Sequence, residues 1–455
     1  MPQPVRPIRP TTPAPAGANW AGNLTYFARE LIQPRSVEEL AGALRATTGP
    51  VKFLGSRHCF NDIANTTGTM ISLARFEPLT ADSLELISDD SPARVRVSAS
   101  STYGALAQVL TQRGLAISNY ASLPHITIAG AITTGTHGSG NNNQPLIGAI
   151  WAFEVLTPEG TTRRAVRDGS GDLPFEAGVH LGLLGALTFV EILVEPEFEV
   201  RQDLFQNLPW ESVFANFDAI TGAAYSVSLF THWNAESVEQ VWLKSRADSF
   251  VLPGTAGEVG SVSEAGSTPK GSSDFFGATP AATKLHPLPN TDPIHCTDQL
   301  GVPGPSFDRL PHFKMGFTPS KGEELQSEYL VPRAHAIDAI KAVLALGDQF
   351  RHLLFVSEIR TMAGDGLWLS PSPEDAVALH FTWQRREAEV TAILPTLEAA
   401  LAPFSARPHW GKLHVHSAEQ IAALYPRLGD FLALARECDP QGRLRNDYTA
   451  RVLGY

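Results

Sequence analysis

Several short stretches of this sequence carry side chains suited to chemistry on a hydroxyl-rich molecule. Glu358-Ile359-Arg360 sets a carboxylate and a guanidinium two positions apart, so in a strand both point to one face and Ile359 to the other. Such a pair grips vicinal hydroxyls, one group accepting and the other donating hydrogen bonds; an ordinary surface ion pair is the alternative. His380-Phe381-Thr382 repeats the geometry with an aromatic behind two polar groups. Lys412 closes Arg407-Pro408-His409-Trp410-Gly411-Lys412, surroundings apolar enough to desolvate an amine, against the alternative of a solvated lysine. His58 ends Gly55-Ser56-Arg57-His58, which exposes an imidazole at a turn; a plain polar turn residue is the other reading. His137, within Gly135-Thr136-His137-Gly138, either joins the chemistry or holds a loop. His409, His414 and His416 invite a metal, but the carboxylate–histidine spacing of zinc sites is missing, so no metal is expected.

These groups need elements to hold them. A strand over 51–54 leads into the His58 turn, and a helix from Ser36 precedes it, with Ser36 and Glu39 spaced as a capping box. Strands follow at 70–73 and 94–97, then a helix capped by Thr102 and ended near Gly114. That helix delivers the chain to Ala121–Gly140, a stretch of glycine, threonine and apolar residues without lysine or arginine. Small residues let backbone N–H groups reach an anionic cofactor. A hairpin over 149–166 and a buried strand over 183–190 come next. Near Glu195-Pro196-Glu197 glycine thins and tryptophans appear at 210, 233 and 242, which marks a domain boundary. Residues 251–283 read as a long loop. Helical spacing over 332–350, strands around Glu358 and Thr382, and a helix over 387–401 complete the second region. The turn Asp439-Pro440-Gln441-Gly442 follows a last helix.

At 455 residues with 43% apolar side chains, the chain supports two cores. A net charge of -12 without basic clusters argues against a nucleic-acid partner. The three cysteines, Cys59, Cys296 and Cys438, fit no disulfide scaffold and suggest a reducing cytoplasm. The leader, with prolines at 2, 4, 7, 10, 13 and 15 and no apolar run, reads as disordered rather than as a signal or membrane segment. No Rossmann fingerprint, P-loop or nucleophile elbow occurs.

Taken in order, Gly55-Ser56-Arg57-His58-Cys59-Phe60-Asn61, Ala121-Ser122-Leu123-Pro124-His125-Ile126-Thr127 and Ala129-Gly130 through Thr134-Gly135-Thr136-His137-Gly138 resemble the flavin domain of the vanillyl-alcohol-oxidase superfamily. Ser357-Glu358-Ile359-Arg360-Thr361, His380-Phe381-Thr382-Trp383, Arg407 to Lys412 and Asp439 to Gly442 are similar in type and order to its alditol oxidases. The resemblance runs from about Asn19 to the end. It implies an α+β chain of two domains: an FAD-binding domain over 19–195 after a leader at 1–18, a cap domain with a large antiparallel sheet over 196–425, and a return to the FAD-binding domain over 426–455. It further implies that His58 is bonded covalently to FAD. Phe53, Leu54, Gly55, Ser56, Arg57, Cys59, Ser122, Thr127, Gly130, Thr134, Gly135, Thr136 and His137 would wrap the cofactor, and His409 would approach its ring system. Arg360 and Lys412 would act on the hydroxyl being oxidised, Glu358, Ser122 and Thr382 on its neighbours, and His380 behind them. The expected reaction is oxidation of a terminal alditol hydroxyl, as in xylitol or sorbitol, with dioxygen reduced to hydrogen peroxide. The alternative is a sugar-lactone or other hydroxy-compound dehydrogenase of the same fold. A monomer without membrane partners is expected. Arg57 stands where this loop usually has glycine, and Cys59 where it has serine.

Overall fold

A computed structural model describes residues 16–76, 78–88, 92–249, 274–317 and 323–455. Most of the proline-rich leader, and residues 251–273 of the segment read as a long loop, lie outside these. The rest of that segment differs from the expectation: Phe275 is buried and stacks on Phe205 with ring centroids 4.9 Å apart, and Thr279 and Pro280 pair with the edge of a sheet.

The fold is α+β. Its first sheet is parallel, in the order β1 (Glu30–Ile32), β3 (Thr69–Ser72), β2 (Val51–Leu54). The helix Val37–Ala46 joins β1 to β2; Ser36 Oγ accepts from Glu39 N at 3.2 Å, while the Glu39 carboxylate reaches Arg35 N instead of closing the box on Ser36. A second, antiparallel sheet contains β4 (Glu85–Ser88), β5 (Ala93–Ser98), β6 (Leu115–Ala116), β7 (Ile150–Leu156), β8 (Thr162–Val166) and β9 (Ala186–Pro196), with β9 between β5 and β7. The helix Tyr103–Gln112 starts at its Thr102 cap, and Gly114 turns the chain at φ +66°. Within the small-residue stretch the chain coils once, in the helix Ile128–Thr133 capped by Thr127.

The third sheet holds β10 (Glu199–Pro209), β11 (Ser226–Thr231), β12 (Ser237–Arg246), β13 (Thr279–Pro280), β14 (Gly304–Pro305), β15 (Glu324–Pro332), β16 (Leu354–Met362), β17 (Ala376–Gln384) and β18 (Arg407–Pro408). Its order is β13-β10-β12-β11-β16-β17-β15-β18, all antiparallel, with β14 beside β10. Alternation splits its central strands. Leu325, Tyr329, Ile359, Leu379, Phe381 and Trp383 face the helices Trp210–Thr221, Ala336–Ala345 and Glu387–Leu401 and form one large core with them. Full burial of each such side chain is worth about 1.5–3 kcal/mol. That apolar layer secures the sheet and leaves the other face for polar side chains. A second large core joins the first two sheets to side chains from Trp410 to Tyr455.

Candidate active site

On the polar face, register brings side chains together from strands far apart in the chain. Glu328 on β15 lies opposite His380 on β17, and His380 opposite Glu358 on β16; one step along, Gln326 lies opposite Thr382. Ser357 Oγ donates to the His380 carbonyl at 2.5 Å, pinning β16 to β17. Cross-strand neighbours sit about 4.5–5.5 Å apart, so these groups form one continuous polar row.

Glu328 is the centre of the row. Its carboxylate accepts from Arg360 Nη2 at 2.7 Å and Lys412 Nζ at 2.8 Å, and His137 Nε2 lies 3.3 Å away. Its side chain and that of His137 are each 1% exposed. Burial opposes a charge here, but Lys412 and Arg360 outweigh it and hold the carboxyl well below its usual range. Burial likewise opposes ionisation of Glu358, and Arg360 with His312 overcomes it. Arg360 is pushed down by burial and back up by Glu358 and Glu328, while Lys412 stays below its ordinary value because burial exceeds the pull of Glu328. Two carboxylates thus face two cations in a dry site, the condition under which buried charge is tolerated.

Lys412 reaches Glu328 from outside the sheet. The segment 407–412 is tied down by Asn61 Nδ2, which donates to the carbonyls of Trp410 and Lys412 at 2.8 Å each, and by Trp410 Nε1 bonded to the Leu369 carbonyl at 2.7 Å. His409 N donates to the Glu328 carbonyl at 3.0 Å. Its ring accepts from Gly411 N at 3.1 Å, and burial, then Lys412, pushes it down to about 3, so it is neutral. His414 and His416 turn away, toward Tyr448 and Glu398.

Opposite the sheet, β2 runs into a turn built of backbone. None of the N–H groups from Gly55 through Cys59 has a partner among the described residues. Arg57 takes φ +67°, a left-handed conformation that favours glycine. Its guanidinium is bonded to the Ala16 carbonyl and, at 3.4 Å, to the Ala18 carbonyl. Those bonds tie the guanidinium to the start of the described chain. Gly55 meets the Thr127 cap so closely that a Cβ would lie 2.6 Å from Thr127 Oγ1, and Thr127 N donates to Ser56 Oγ at 3.3 Å. Thr134 Oγ1 donates to the Gly130 carbonyl at 2.8 Å. His58 lies 5.0 Å from the Trp20 ring and 6.2 Å from His125; burial, then His125, pushes it down to about 4. Cys59 is pushed up to about 12 by burial, so its thiol is protonated and unreactive.

Between these walls lies a cavity of about 540 Å³. Phe53, Leu54, Gly55, Ser56, Arg57, His58, Cys59, Thr127, Gly130, Thr134, Thr136, His137 and His409 line it, as do Ser122, Glu358, Arg360, His380, Thr382 and Lys412. Ser122 Oγ accepts from Arg360 Nη1 at 3.5 Å and bridges the two sides. Gly135 is not brought to the wall: at φ +70° it packs on Pro371, where a Cβ would approach to 2.6 Å. Glu328, Gln326 and His312 also line the cavity and escaped sequence reasoning. The signal was present in β15, where Glu324, Gln326 and Glu328 alternate with Leu325, Ser327 and Tyr329 as Glu358 and Arg360 alternate with Ile359. His312, which gives no such pattern, donates to Glu358 Oε1 at 2.9 Å from a loop.

The N–H run without partners among the described residues and the neutral imidazole beside it fit a large anionic dinucleotide held by backbone, as FAD requires. Comparison with known proteins agrees. Residues 28–165 match a family described as "FAD binding domain", and residues 318–452 one described as "D-arabinono-1,4-lactone oxidase". The chain is 44% identical over 440 residues to "Alditol oxidase" of Streptomyces sp. (strain IKD472 / FERM P-14339), covering 96% of this chain and 99% of that one. It is 27% identical to "L-gulono-1,4-lactone dehydrogenase" of Mycobacterium tuberculosis, covering 97% and 100%, and 24% identical to "L-gulonolactone oxidase" of Bos taurus, covering 96% and 97%. Fold, cavity and near-full-length similarity place the chain in the family of FAD-dependent alditol oxidases.

Proposed function

We propose that the chain oxidises a terminal hydroxyl of an alditol such as xylitol or sorbitol to the aldose. The observation that carries this reading is the buried Arg360–Glu328–Lys412 cluster facing the same cavity as His58. FAD, when bound, would supply the hydride acceptor at N5 and the means of reducing dioxygen to hydrogen peroxide. Arg360 and Lys412 are assigned to the reacting hydroxyl. Two fixed cations in a dry site stabilise the negative oxygen that develops as the hydroxyl proton leaves, at no reorganisation cost, and the released proton together with the hydride balances the two hydrogens of hydrogen peroxide. Glu328 keeps both in place and balances their charge before substrate arrives. Glu358 accepts hydrogen bonds from neighbouring hydroxyls, with Ser122 and Thr382 completing the set and His380 behind them. A chain of such contacts orients the polyol, and orientation is itself a large part of the acceleration.

His58 is the proposed covalent anchor. Its low pKa leaves the imidazole neutral with a free lone pair, the form able to make the bond. The unpartnered loop 55–59 and the Ser122–His137 stretch are assigned to the cofactor. We further propose the division into an FAD-binding domain, 19–195 with 426–455, and a substrate-facing cap, 196–425. Among the described residues no helix is long and apolar enough to cross a membrane; a cytoplasmic monomer is the proposed form.

A second reading, a lactone or hydroxy-compound dehydrogenase, is motivated by the match of residues 318–452 to a lactone-oxidase family. One experiment separates them: xylitol, sorbitol and an aldonolactone are mixed with the purified chain, and flavin bleaching and peroxide are followed. Bleaching by the polyols with stoichiometric peroxide supports the first reading. Bleaching by the lactone alone, or reduced flavin that persists in air, supports the second.

A further inference from the structure

Behind Glu358 lies a chain of buried titratable groups that the reaction outlined above does not use. Lys244, on β12, is 1% exposed and does not line the cavity. Its Nζ lies 2.9 Å from His312 Nδ1 and donates to the Leu310 carbonyl. His312 Nε2 lies 2.9 Å from Glu358 Oε1, and the ring is clamped by Phe230 and Trp242, each edge-on at 5.4 Å. The loop carrying it is anchored in turn: Thr297 N donates to the His312 carbonyl at 3.0 Å, and Gln202 Nε2 on β10 donates to Thr297 Oγ1 at 2.8 Å.

The order of protons along this chain follows from the chemistry of its ends. Ionised Glu358 can only accept, so His312 Nε2 carries the hydrogen. Burial, then Lys244, pushes His312 down to about 4, so the ring is neutral and Nδ1 bears a lone pair for Lys244. We propose that Lys244 and His312 are positioning residues for polyol recognition: through this chain they hold Glu358 Oε1, so that Oε2, 3.6 Å from Arg360 Nε, is the oxygen presented to a substrate hydroxyl. The inference rests on the assignment of Glu358 to a polyol hydroxyl.

The chain also has a titratable end. Burial pushes Lys244 down to about 7, with Glu358 pulling up and Arg360 pushing down. The other groups facing it are His312, the Leu310 carbonyl and Cys296, whose thiol burial raises to about 12 and keeps neutral. Below neutrality Lys244 is charged and donates firmly to His312; above it that charge is lost and Glu358 is held less well.

The test uses flavin-loaded enzyme, with the Kd for xylitol and the limiting rate read from anaerobic flavin reduction. Lys244→Met should raise Kd about tenfold or more, as expected for losing a hydrogen bond to a charged chain, with the limiting rate little changed. The parent's Kd should rise with pH through neutrality, and that inflection should vanish in the variant. A Lys244→Met enzyme with the parent's Kd and inflection overturns the proposal. Should the variant not hold flavin, ¹⁵N-histidine spectra of the parent decide, with the His312 signal assigned by its loss in His312→Gln. A neutral ring protonated at Nε2 is expected, and a ring protonated at Nδ1 overturns the proposal. Glu358→Gln separates the two failures. If it leaves xylitol binding intact, the assignment of Glu358 is wrong; if it weakens binding while Lys244→Met does not, only the positioning role is.

Discussion

The two walls of the cavity solve opposite problems. The loop wall, Gly55 to Cys59 with Ser122 to His137, presents backbone N–H groups and small side chains, and its one guanidinium, on Arg57, is bonded to the Ala16 and Ala18 carbonyls. The sheet wall presents charged side chains, Glu328, Glu358 and Arg360, joined by Lys412 and closed off from solvent. A wall of backbone suits a ligand that brings its own charge. A wall of fixed side-chain charge suits a neutral polyol whose charge develops only during reaction. Loss of one side chain should therefore cost far more on the sheet wall than on the loop wall.

The largest effects are expected at Arg360 and Lys412. Arg360→Ala or Lys412→Ala should slow anaerobic flavin reduction on the order of 10²–10³-fold or more, with the flavin still bound; reduction at the parent's rate would reassign both residues to structure. Next comes Glu328→Gln, which takes the carboxylate bonded to Lys412 away and leaves Arg360 with Glu358 alone. Breaking a buried ion pair costs about 3–5 kcal/mol, so the thermal midpoint should fall together with the reduction rate. The same substitution carries a pH signature. Because the Glu328 carboxyl is depressed in the folded protein, the stability it contributes is present above the ordinary carboxylate pKa and is lost only as pH falls through the depressed value. The parent's midpoint should fall on strong acidification, and Glu328→Gln should flatten part of that fall.

On the loop wall the predictions are smaller or qualitative. His58→Ala should release flavin on acid precipitation, whereas the parent pellet stays yellow; flavin lost from the parent would falsify covalent attachment. Gly55→Ala should weaken flavin retention, since its Cβ meets Thr127 Oγ1 at 2.6 Å. The smallest effect is expected for Arg57→Gly. It relieves a left-handed backbone worth about 1–2 kcal/mol but gives up the bonds to Ala16 and Ala18, so the midpoint should move little. A large loss would show that the bonds of the guanidinium matter more than the strain its backbone carries.

The loop wall was largely legible in the residues. Gly55, His58, Thr127, Gly130, Thr134 and His137 lie in two short stretches, and a backbone site leaves its mark as local glycine and small-residue composition. Gly135 shows the limit of that mark: the same composition serves a turn against Pro371. On the sheet wall only part was visible. Glu358 with Arg360 and His380 with Thr382 could be read because each pair lies on one strand. Glu328 could not be given its role, since β15, β16 and β17 meet only in the folded sheet.

The sequence alone determined most of the elements, the small-residue cradle and the family, because caps, alternation and short motifs are local; the strand at Thr279–Pro280 was not among them. Tertiary structure decided that Glu328 is the shared partner of Arg360, Lys412 and His137, and that His312 and Lys244 stand behind Glu358. The physical reason is that a buried charge is tolerable only beside its counter-charge, and the charges that pair here lie far apart along the chain: Glu328 is 84 positions from Lys412 and 32 from Arg360.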